Sequence, residues 1–264
     1  MGEVQNKKLF NYKTEKHFFT CNKHGLYEAE CIVFSGAFVQ VECPICEKEA
    51  EVLLKQKELE KQKMAQYEKY RKQNIEPEFF EKTFDDFVPK TESQNKALNA
   101  VKKMVSEKHG KIVLIGSNGV GKTMLASIAT KELGGNIYSM YEISTMIRQS
   151  YTIKAEKSEL EIVNELASVP FLAIDELGRT NGSDAEQNWL SYILDKRHTR
   201  NLPFMLMSNG HFKKFCKKGG CSKCFENFVD NDILSRLHQD STVVMIEAQD
   251  ERIKRRIYEN DKIF

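Results

Sequence analysis

The sequence predicts an α/β fold with a five-stranded parallel sheet, preceded by a small hairpin module and a charged helix. From about residue 76 onward, short apolar runs alternate with helical patterns, which is typical of a parallel sheet covered by helices. Upstream, residues 47–73 contain no Gly or Pro and are rich in Glu, Lys and Gln. Before them, the first fifty or so residues hold four of the seven cysteines. These changes in composition divide the chain into three zones, at residues 1–50, 51–75 and 76–264.

The bulk composition indicates a protein with little net charge. Its 264 residues suffice for one α/β core and a small appendage, and 40 Lys and Arg nearly balance 38 Asp and Glu. A net charge of +2 provides no general attraction to nucleic acid, so DNA binding must come from a local patch. The start is polar, and no apolar run approaches the ~18 residues of a membrane helix. We therefore expect a cytoplasmic protein with no membrane partner, whose cysteines are metal ligands or free thiols rather than disulfides.

The N-terminal zone predicts a zinc ribbon. It contains C-x2-H, then eighteen residues, then C-x2-C, so that a tetrahedral Zn²⁺ site with two knuckles would use Cys21, His24, Cys43 and Cys46. Between the knuckles, YEAECIVF and AFVQVE predict a hairpin that turns at Ser35-Gly36. A unit of about fifty residues rarely folds without such a metal or a disulfide. Cys31 breaks the spacing, and we expect it to pack inside the hairpin.

The second zone predicts a long helix that is largely exposed to solvent. Its Glu and Lys residues favour helix and allow i,i+4 ion pairs, whereas apolar residues are sparse. In the third zone, we predict five core strands, at KIVLIG (111–116), NIYSM (136–140), PFLAI (170–174), PFMLM (203–207) and TVVMI (242–246). The predicted helices are 93–108, 121–133, 141–151, 158–167, 184–198 and 230–238.

The stretch GSNGVGKT after the first core strand fits G-x-x-x-x-G-K-[ST], a loop that binds nucleotide phosphates. Its backbone N–H groups and glycines would surround the phosphates, Lys122 would contact the β and γ phosphates, and the Thr123 hydroxyl would bind Mg²⁺. The alternative is a chance match, but the loop follows a strand and precedes a helix, as the motif requires. The predicted nucleotide-binding residues are Gly116, Ser117, Asn118, Gly119, Val120, Gly121, Lys122 and Thr123.

Two other predicted strands end in polar residues suited to nucleotide hydrolysis. In VPFLAIDELG, Asp175 would hold Mg²⁺ and Glu176 would act as general base toward water. The alternative is a structural role for both carboxylates. In LPFMLMSNG, Asn209 would orient the attacking water and sense the γ phosphate, although Asn-Gly is also a common turn pair. In NDILSRLHQD, Arg236 could reach the ATP of a neighbouring subunit as an arginine finger; the alternative is an ordinary surface arginine.

Together these motifs resemble AAA+ ATPases of the DnaC/DnaI helicase-loader family, to which the transposon ATP-binding subunit IstB is similar. The resemblance covers about residues 75–248 and also includes YILDKRHTRNLPFMLMSN, LSRL and the lead-in NIEPEFFEKTFDDF, where Phe84 and its neighbours would line the adenine pocket. It implies an ATP-dependent homo-oligomer that binds a DnaB-type replicative hexameric helicase and single-stranded DNA. It also implies a core without a C-terminal helical lid, and the short stretch after the fifth strand agrees with that. Phage-type members often carry a similar N-terminal zinc ribbon.

A second cysteine cluster, HFKKFCKKGGCSKCFENF, lies where this family is usually shorter. One interpretation is an inserted loop with a second zinc ion, whose lysines and phenylalanines contact DNA. The other is a flexible basic loop with three free thiols. The four candidate ligands are His211, Cys216, Cys221 and Cys224.

The resemblance favours an ATP-dependent loader of a replicative helicase onto single-stranded DNA, with residues 1–50 as the helicase-binding module, 51–75 as a linker and 76–264 as the ATPase domain. The alternative is an IstB-like ATPase that regulates transposition on duplex DNA. A scaffold that binds ATP without hydrolysing it is a third hypothesis, which intact Lys122, Asp175 and Glu176 argue against. For the DNA path we consider residues 148–157, although a solvated helix end explains that segment more simply.

Overall fold

The structure, a computed structural model, describes residues 13–178 and 183–249. These residues form two compact units, the first extending to Gln66 and the second beginning at Tyr67. Within the described part of the chain, no helix combines the length and the apolar composition that crossing a membrane would require.

The first unit contains a three-stranded antiparallel sheet and most of a long helix. Strand β1 (Lys13–Cys21) pairs with β2 (Gly25–Phe34) along its whole length, and the two-residue β3 (Ala37–Phe38) pairs with the end of β2. Ser35 and Gly36 both have positive φ, 51° and 81°, which is the geometry of a type I′ hairpin turn. The predicted turn at Ser35-Gly36 is therefore confirmed, but the predicted second strand AFVQVE is a strand only at Ala37–Phe38. Strand β1 had no clear signal in the sequence.

Helix α1 (Pro44–Lys72) follows directly and matches the predicted charged helix. It begins at Pro44, a residue favoured at the first helical position because its missing N–H has no partner to lose there. Tyr70, in its last turn, is the residue of α1 that is buried. Asn74 then adopts a left-handed conformation (φ 59°) and ends the helix.

The second unit is the predicted α/β domain. Its five strands are all parallel and lie in the order β5-β6-β7-β4-β8. The strands are β4 (Lys111–Gly116), β5 (Asn136–Ser139), β6 (Leu172–Leu177), β7 (Phe204–Ser208) and β8 (Thr242–Ile246). The helices are α2 (Glu92–Glu107), α3 (Lys122–Leu133), α4 (Met140–Ser150), α5 (Glu159–Ser168), α6 (Asp184–Thr199) and α7 (Asn231–Asp240).

The sheet is buried on both faces, which explains why its strands are continuous apolar runs. In β4, Val113 and Ile115 pack into one core and Ile112 and Leu114 into the other, because successive side chains point to opposite faces. All five strands run in the same direction, so their carboxyl ends meet at one edge of the sheet. Strand β8 is the last element among the described residues, and no lid helix follows it there.

A buried arginine of α6, Arg197, hydrogen-bonds to the segments that precede β6 and β7. Arg197 of α6 is fully buried, and its guanidinium donates to the carbonyl oxygens of Leu166, Val169, Pro170 and Pro203 at 2.6–3.4 Å. Burial lowers the pKa of Arg197 to about 10, so the side chain stays protonated at neutral pH. These bonds satisfy carbonyl groups in the last turn of α5 and just before β6 and β7, where Pro203 also accepts from the N–H of Leu172.

Candidate nucleotide site and metal clusters

The phosphate-binding loop lies between β4 and α3, as the motif predicts. Gly119 and Gly121 have φ of 74° and 98°, values that side chains with a Cβ rarely adopt. A Cβ on Gly121 would lie 2.4 Å from Cε2 of Phe87, and a Cβ on Gly116 would lie 2.6 Å from the carbonyl oxygen of Ile246. Close packing thus requires glycine at both ends of the loop, and at Gly121 the backbone conformation requires it as well.

Lys122 is the first residue of α3 and is only 5% exposed. Its Nζ donates to the carbonyl oxygens of Gly116 (2.8 Å) and Ser117 (2.9 Å) and to Oδ1 of Asn209 (2.8 Å). The ammonium is therefore held at the mouth of the loop, where nucleotide phosphates would replace these neutral acceptors.

The side chains of Thr123 and Asp175 are in direct contact. The Thr123 hydroxyl donates to Oδ2 of Asp175 at 2.7 Å, and Oδ1 of Asp175 accepts from the backbone N–H of Glu176 at 2.7 Å. A hydroxyl and a carboxylate are hard oxygen ligands of the kind that Mg²⁺ prefers. This pair therefore fits the predicted magnesium site.

A bulge in β6 brings Glu176 to the same side as Asp175. In a regular strand, adjacent side chains would point to opposite faces. Here the pairing with β7 shifts between Ile174 and Leu177, and Glu176 has a φ of 57° in the left-handed region. Bulges commonly redirect a side chain next to a functional site, and both carboxylates line one cavity as a result.

That cavity has a volume of about 350 Å³ and lies at the carboxyl edge of the sheet. It brings together polar residues of the loop, the bulge and the tip of β7 with apolar residues of the lead-in segment 76–90. Its polar lining includes Gln94, Asn118, Gly119, Lys122, Thr123, Asp175, Glu176 and Asn209, and its apolar lining includes Phe79, Phe87, Val88 and Val120. A cavity lined by both apolar and polar groups suits a nucleotide, which has a base at one end and phosphates at the other.

The lead-in segment supplies the apolar lining through residues next to Phe84. Phe84 itself is not among the residues that line the cavity; it packs partly buried against the core, with Lys102 Nζ 5.7 Å from its ring centroid. Phe79 and Phe87 are the phenylalanines that line the cavity. One helical turn separates Phe84 from Phe87, and the sequence contains no signal that distinguishes their directions.

Two further residues support the loop and were not identified from the sequence. Buried Gln94 of α2 donates to the carbonyl oxygen of Val120 at 3.3 Å and accepts from the N–H of Lys90 at 2.8 Å. Lys131 of α3 donates to the carbonyl oxygens of Phe79 (2.8 Å) and Phe80 (3.1 Å). Gln94 thus joins the lead-in segment to the nucleotide loop, and Lys131 joins it to the last turn of α3, the helix that follows the loop. Neither residue belongs to a motif with a recognisable spacing.

Arg236 lies on α7, away from the cavity of its own chain. Its guanidinium forms an ion pair with Asp195 of α6, and the side chain is 43% exposed. Arg236 is not among the residues that line the cavity. If Arg236 contacts a nucleotide, that nucleotide would therefore be bound to another subunit.

The first metal cluster brings together Cys21, His24, Cys43 and Cys46, with all four ligand atoms within 4.8 Å of one another. Cys21 Sγ lies 3.5 Å from Cys46 Sγ, and His24 Nδ1 lies 3.3–3.8 Å from the three sulfurs. Ligands around tetrahedral Zn²⁺ would be about 3.8 Å apart for two sulfurs and about 3.6 Å apart for sulfur and nitrogen. The four residues therefore fit a zinc ion.

The surroundings of this cluster also favour a metal. Backbone N–H groups of Lys23 and His24 lower the pKa of the Cys21 thiol to about 6, whereas the neighbouring Cys21 sulfur raises the pKa of Cys46 to about 11. Glu49 Oε1 lies 3.3 Å from His24 Nε2, a carboxylate–histidine contact that typically orients a metal ligand. Cys31 is buried outside the cluster and donates to the carbonyl oxygen of Glu15, as expected.

The second metal cluster brings together His211, Cys216, Cys221 and Cys224, again with ligand atoms within 4.8 Å of one another. His211 Nε2 lies 3.4 Å from Cys221 Sγ and 3.7 Å from Cys224 Sγ, and the two sulfurs are 3.9 Å apart. These distances also match the edges of a zinc-centred tetrahedron. Within residues 13–178 and 183–249, these two groups are the ones that could hold a metal through His and Cys.

The segment considered for DNA, residues 148–157, includes the end of α4 and the loop that follows it. Tyr151 is 62% exposed and donates through its hydroxyl to Glu159. Lys154 lines a neighbouring cavity of about 520 Å³. Nothing in this geometry distinguishes a DNA contact from a solvated helix end.

Comparisons with known proteins identify the family of this chain. The family model described as "IstB-like ATP binding protein" matches residues 45–258. The replicative helicase loader DnaC of Escherichia coli K12 is 26% identical over 167 residues, which are 61% of this chain and 68% of DnaC.

Among solved structures, DnaI superposes with a TM-score of 0.52 at 22% identity, covering 67% of this chain and 93% of DnaI. AMPPCP-bound DnaA from Aquifex aeolicus superposes with a TM-score of 0.53 at 21% identity, covering 70% of this chain. The chain spans only 56% of that DnaA structure. At these identities the structures establish a shared fold.

Proposed function

Because the chain belongs to the IstB-like ATP-binding family, we propose that it hydrolyses ATP in order to load a replicative DNA helicase onto single-stranded DNA. The observation that carries the ATPase proposal is the convergence of three strand ends on one cavity. The converging groups are Lys122 and Thr123 after β4, Asp175 and Glu176 in β6, and Asn209 after β7.

In the proposed reaction, the loop N–H groups and Lys122 bind the phosphates. Thr123 and Asp175 would hold Mg²⁺, which would supply positive charge next to the phosphates. Glu176 accepts a proton from the attacking water, and Asn209 orients that water. The contact between Lys122 and Asn209 supports this assignment because it brings the phosphate-binding ammonium next to the amide.

We also propose that Arg236 completes the site of a neighbouring subunit in a homo-oligomer. Its half-exposed side chain, and the fact that it does not line the cavity of its own chain, support a role in trans. Such a finger can contribute ~10³–10⁵ in rate, so an isolated subunit would hydrolyse ATP slowly.

Helicase binding is proposed for residues 1–50, linked by residues 51–75 to an ATPase domain at 76–264. The similarity to DnaC, which is named as a replicative helicase loader, supports a helicase as the partner. The zinc-ribbon sheet exposes Phe18 (60%), Leu26 (69%) and Phe34 (63%), and exposed apolar side chains of this size are typical of a binding surface. A cytoplasmic location and single-stranded DNA as second ligand belong to the same proposal.

The experiment is a pull-down of the full-length chain with DnaB-type hexameric helicases, in ATP. Cys43→Ser/Cys46→Ser should lose the helicase, whereas Cys31→Ser should retain it, because Cys31 lies outside the cluster. Retention by the first variant would remove the zinc ribbon from the binding surface. Failure of the unmodified chain to bind any such helicase would count against the loader function.

The matched family model supports one alternative, an IstB-like ATPase that regulates DNA transposition. Electron microscopy of the chain with ATP and duplex DNA separates the two. Filaments on duplex DNA, together with no helicase binding, would favour the alternative.

A further inference from the structure

The connection from β7 to α7 is unusually long and contains the second metal cluster. It runs from Asn209 to Asp230 and includes only two short 3₁₀ turns, at Lys213–Phe215 and Phe225–Asn227. Connections of this length are commonly functional or disordered. This one brings four candidate metal ligands, from His211 and three cysteines, within 4.8 Å of one another.

The two ends of the connection are paired through their backbones. His211 N–H donates to the carbonyl oxygen of Lys223 at 3.2 Å, and Phe225 N–H donates to the carbonyl oxygen of His211 at 2.9 Å. A Cβ on Gly210 would lie 2.1 Å from that Lys223 oxygen, so the two strands of the connection are in close contact. This pairing places His211 beside Cys224.

Apolar packing stabilises only the two ends of the connection, around Phe212 and Phe225, which together form its base. Phe212 and Phe225 are buried with ring centroids 5.6 Å apart, and the ring of Phe228 contacts Gly178. The outer part, residues 213–223, is exposed except for its partly buried Cys216 and Cys221, and it is rich in Lys and Gly. Such a segment has too little apolar surface to fold by burial alone.

We propose that His211, Cys216, Cys221 and Cys224 bind a structural Zn²⁺ ion, which cross-links the outer part of the connection to its base. The sulfur–sulfur and sulfur–nitrogen distances of 3.4–3.9 Å are those of ligands around one zinc ion. Cys221 N–H also donates to Cys224 Sγ at 3.3 Å, which holds these two cysteines together in one turn. A disulfide would use two sulfurs and leave unexplained why the imidazole and the third thiol converge on them.

The zinc ion would also position two groups of the ATP site. Asn209, which contacts Lys122, is two residues before the ligand His211. At the other end, Asp230 accepts from Ile233 N–H at 2.8 Å and caps α7, the helix that carries Arg236. Along the chain, the zinc ligands therefore lie between Asn209, which is proposed to orient water, and Arg236, which is proposed to act on the ATP of a neighbouring subunit. This effect on hydrolysis rests on the proposed ATPase function; the metal site itself does not.

The test is the zinc content per chain of full-length protein purified without added metal. We expect about two equivalents for the unmodified chain, and about one each for Cys221→Ser/Cys224→Ser and for Cys43→Ser/Cys46→Ser. Cys31→Ser is the matched control and should keep both equivalents. If Cys221→Ser/Cys224→Ser does not fold, Cys43→Ser/Cys46→Ser still decides, because its remaining equivalent must be at the second cluster. No zinc in that variant would overturn the proposed site.

Steady-state ATP hydrolysis tests the positioning role on the same proteins. Cys221→Ser/Cys224→Ser should lower kcat about 10–100-fold and change KM for ATP little, because it disturbs Asn209 and α7 rather than the phosphate loop. A variant that lacks one zinc equivalent yet keeps the normal kcat would overturn the positioning role. An unmodified chain with two zinc equivalents and no hydrolysis would instead contradict the ATPase proposal and leave the zinc site supported.

Discussion

Nζ of Lys122 donates a hydrogen bond to Oδ1 of Asn209 at 2.8 Å, so the phosphate-binding loop and the tip of β7 are in direct contact. Strands β4 and β7 are neighbours in the sheet, although many residues separate them along the chain. A γ phosphate that binds the Lys122 ammonium would replace Asn209 as its acceptor. The Asn209 amide would then be released from Lys122, so that it can respond to the γ phosphate.

Asn209→Ala should therefore impair hydrolysis more than nucleotide binding. We expect kcat to fall about 10–100-fold and the Kd for ATP to change less than about threefold, because the phosphates retain the loop and Lys122. Single-turnover hydrolysis and binding of a fluorescent ATP analogue measure the two effects. A weakened Kd with normal kcat would mean that Asn209 only supports Lys122.

Glu176→Gln should retain ATP and abolish its turnover. The amide cannot accept a proton from water, and loss of a general base typically costs about 10²–10⁴-fold in rate. Glu107→Gln, on α2 and outside the cavity, is the matched control. Equal turnover in Glu176→Gln and the unmodified chain would remove Glu176 as the base.

Arg236→Ala should be inactive alone but active when mixed with Glu176→Gln. In mixed oligomers, a Glu176→Gln subunit supplies Arg236 to a neighbour whose own Glu176 is intact. The measurement is ATP hydrolysis at constant total protein over a range of mixing ratios. A rate that never exceeds the sum of the two separate variants would exclude Arg236 as a finger in trans.

Arg197→Met should destabilise the ATPase unit by about 2–4 kcal/mol, because it leaves buried carbonyl oxygens without donors. Urea unfolding followed by circular dichroism measures the change. Arg200→Met is a suitable control, since Arg200 is exposed and donates to Ser168 at 2.8 Å. Its cost should stay below about 1 kcal/mol. Similar losses for both variants would contradict a special role for Arg197.

Acid should weaken the fold in part through the helix-capping carboxylates. The N–H and hydroxyl of Ser158 hold the pKa of Glu161 below its ordinary value of 4.5. A lowered folded-state pKa stabilises the fold above the unfolded pKa of ~4.3, and this contribution is lost as the pH falls through the folded pKa. Glu161→Gln should therefore reduce the slope of the unfolding free energy between about pH 5 and pH 3. An unchanged slope would mean that the capping bonds persist when Glu161 is protonated.

Local patterns in the sequence predicted most of the elements, because each depends on neighbouring residues. The strand KIVLIG, the loop after it and the helix from Lys122 all lie where the spacing predicts them. The hairpin turn at Ser35-Gly36 and the charged helix are also confirmed. Strand β1 was missed because its polar and aromatic residues alternate only weakly.

The direction of individual side chains was less predictable. The lead-in stretch TFDDF contains two phenylalanines, and it is Phe87 rather than Phe84 that lines the cavity. The direction of Glu176 depends on a bulge, which arises from pairing with β7 and has no signature within β6 itself.

By itself, the sequence determined the fold class, the nucleotide loop and the family, because motif spacing and apolar periodicity are local properties of the chain. Only the tertiary structure decided which residues from different strand ends are in contact: Lys122 with Asn209, and Thr123 with Asp175. The physical reason is that parallel pairing aligns the carboxyl ends of strands that are remote in sequence. A side chain such as that of Asn209, whose sequence context allows either a turn or a catalytic role, thereby gains a specific partner.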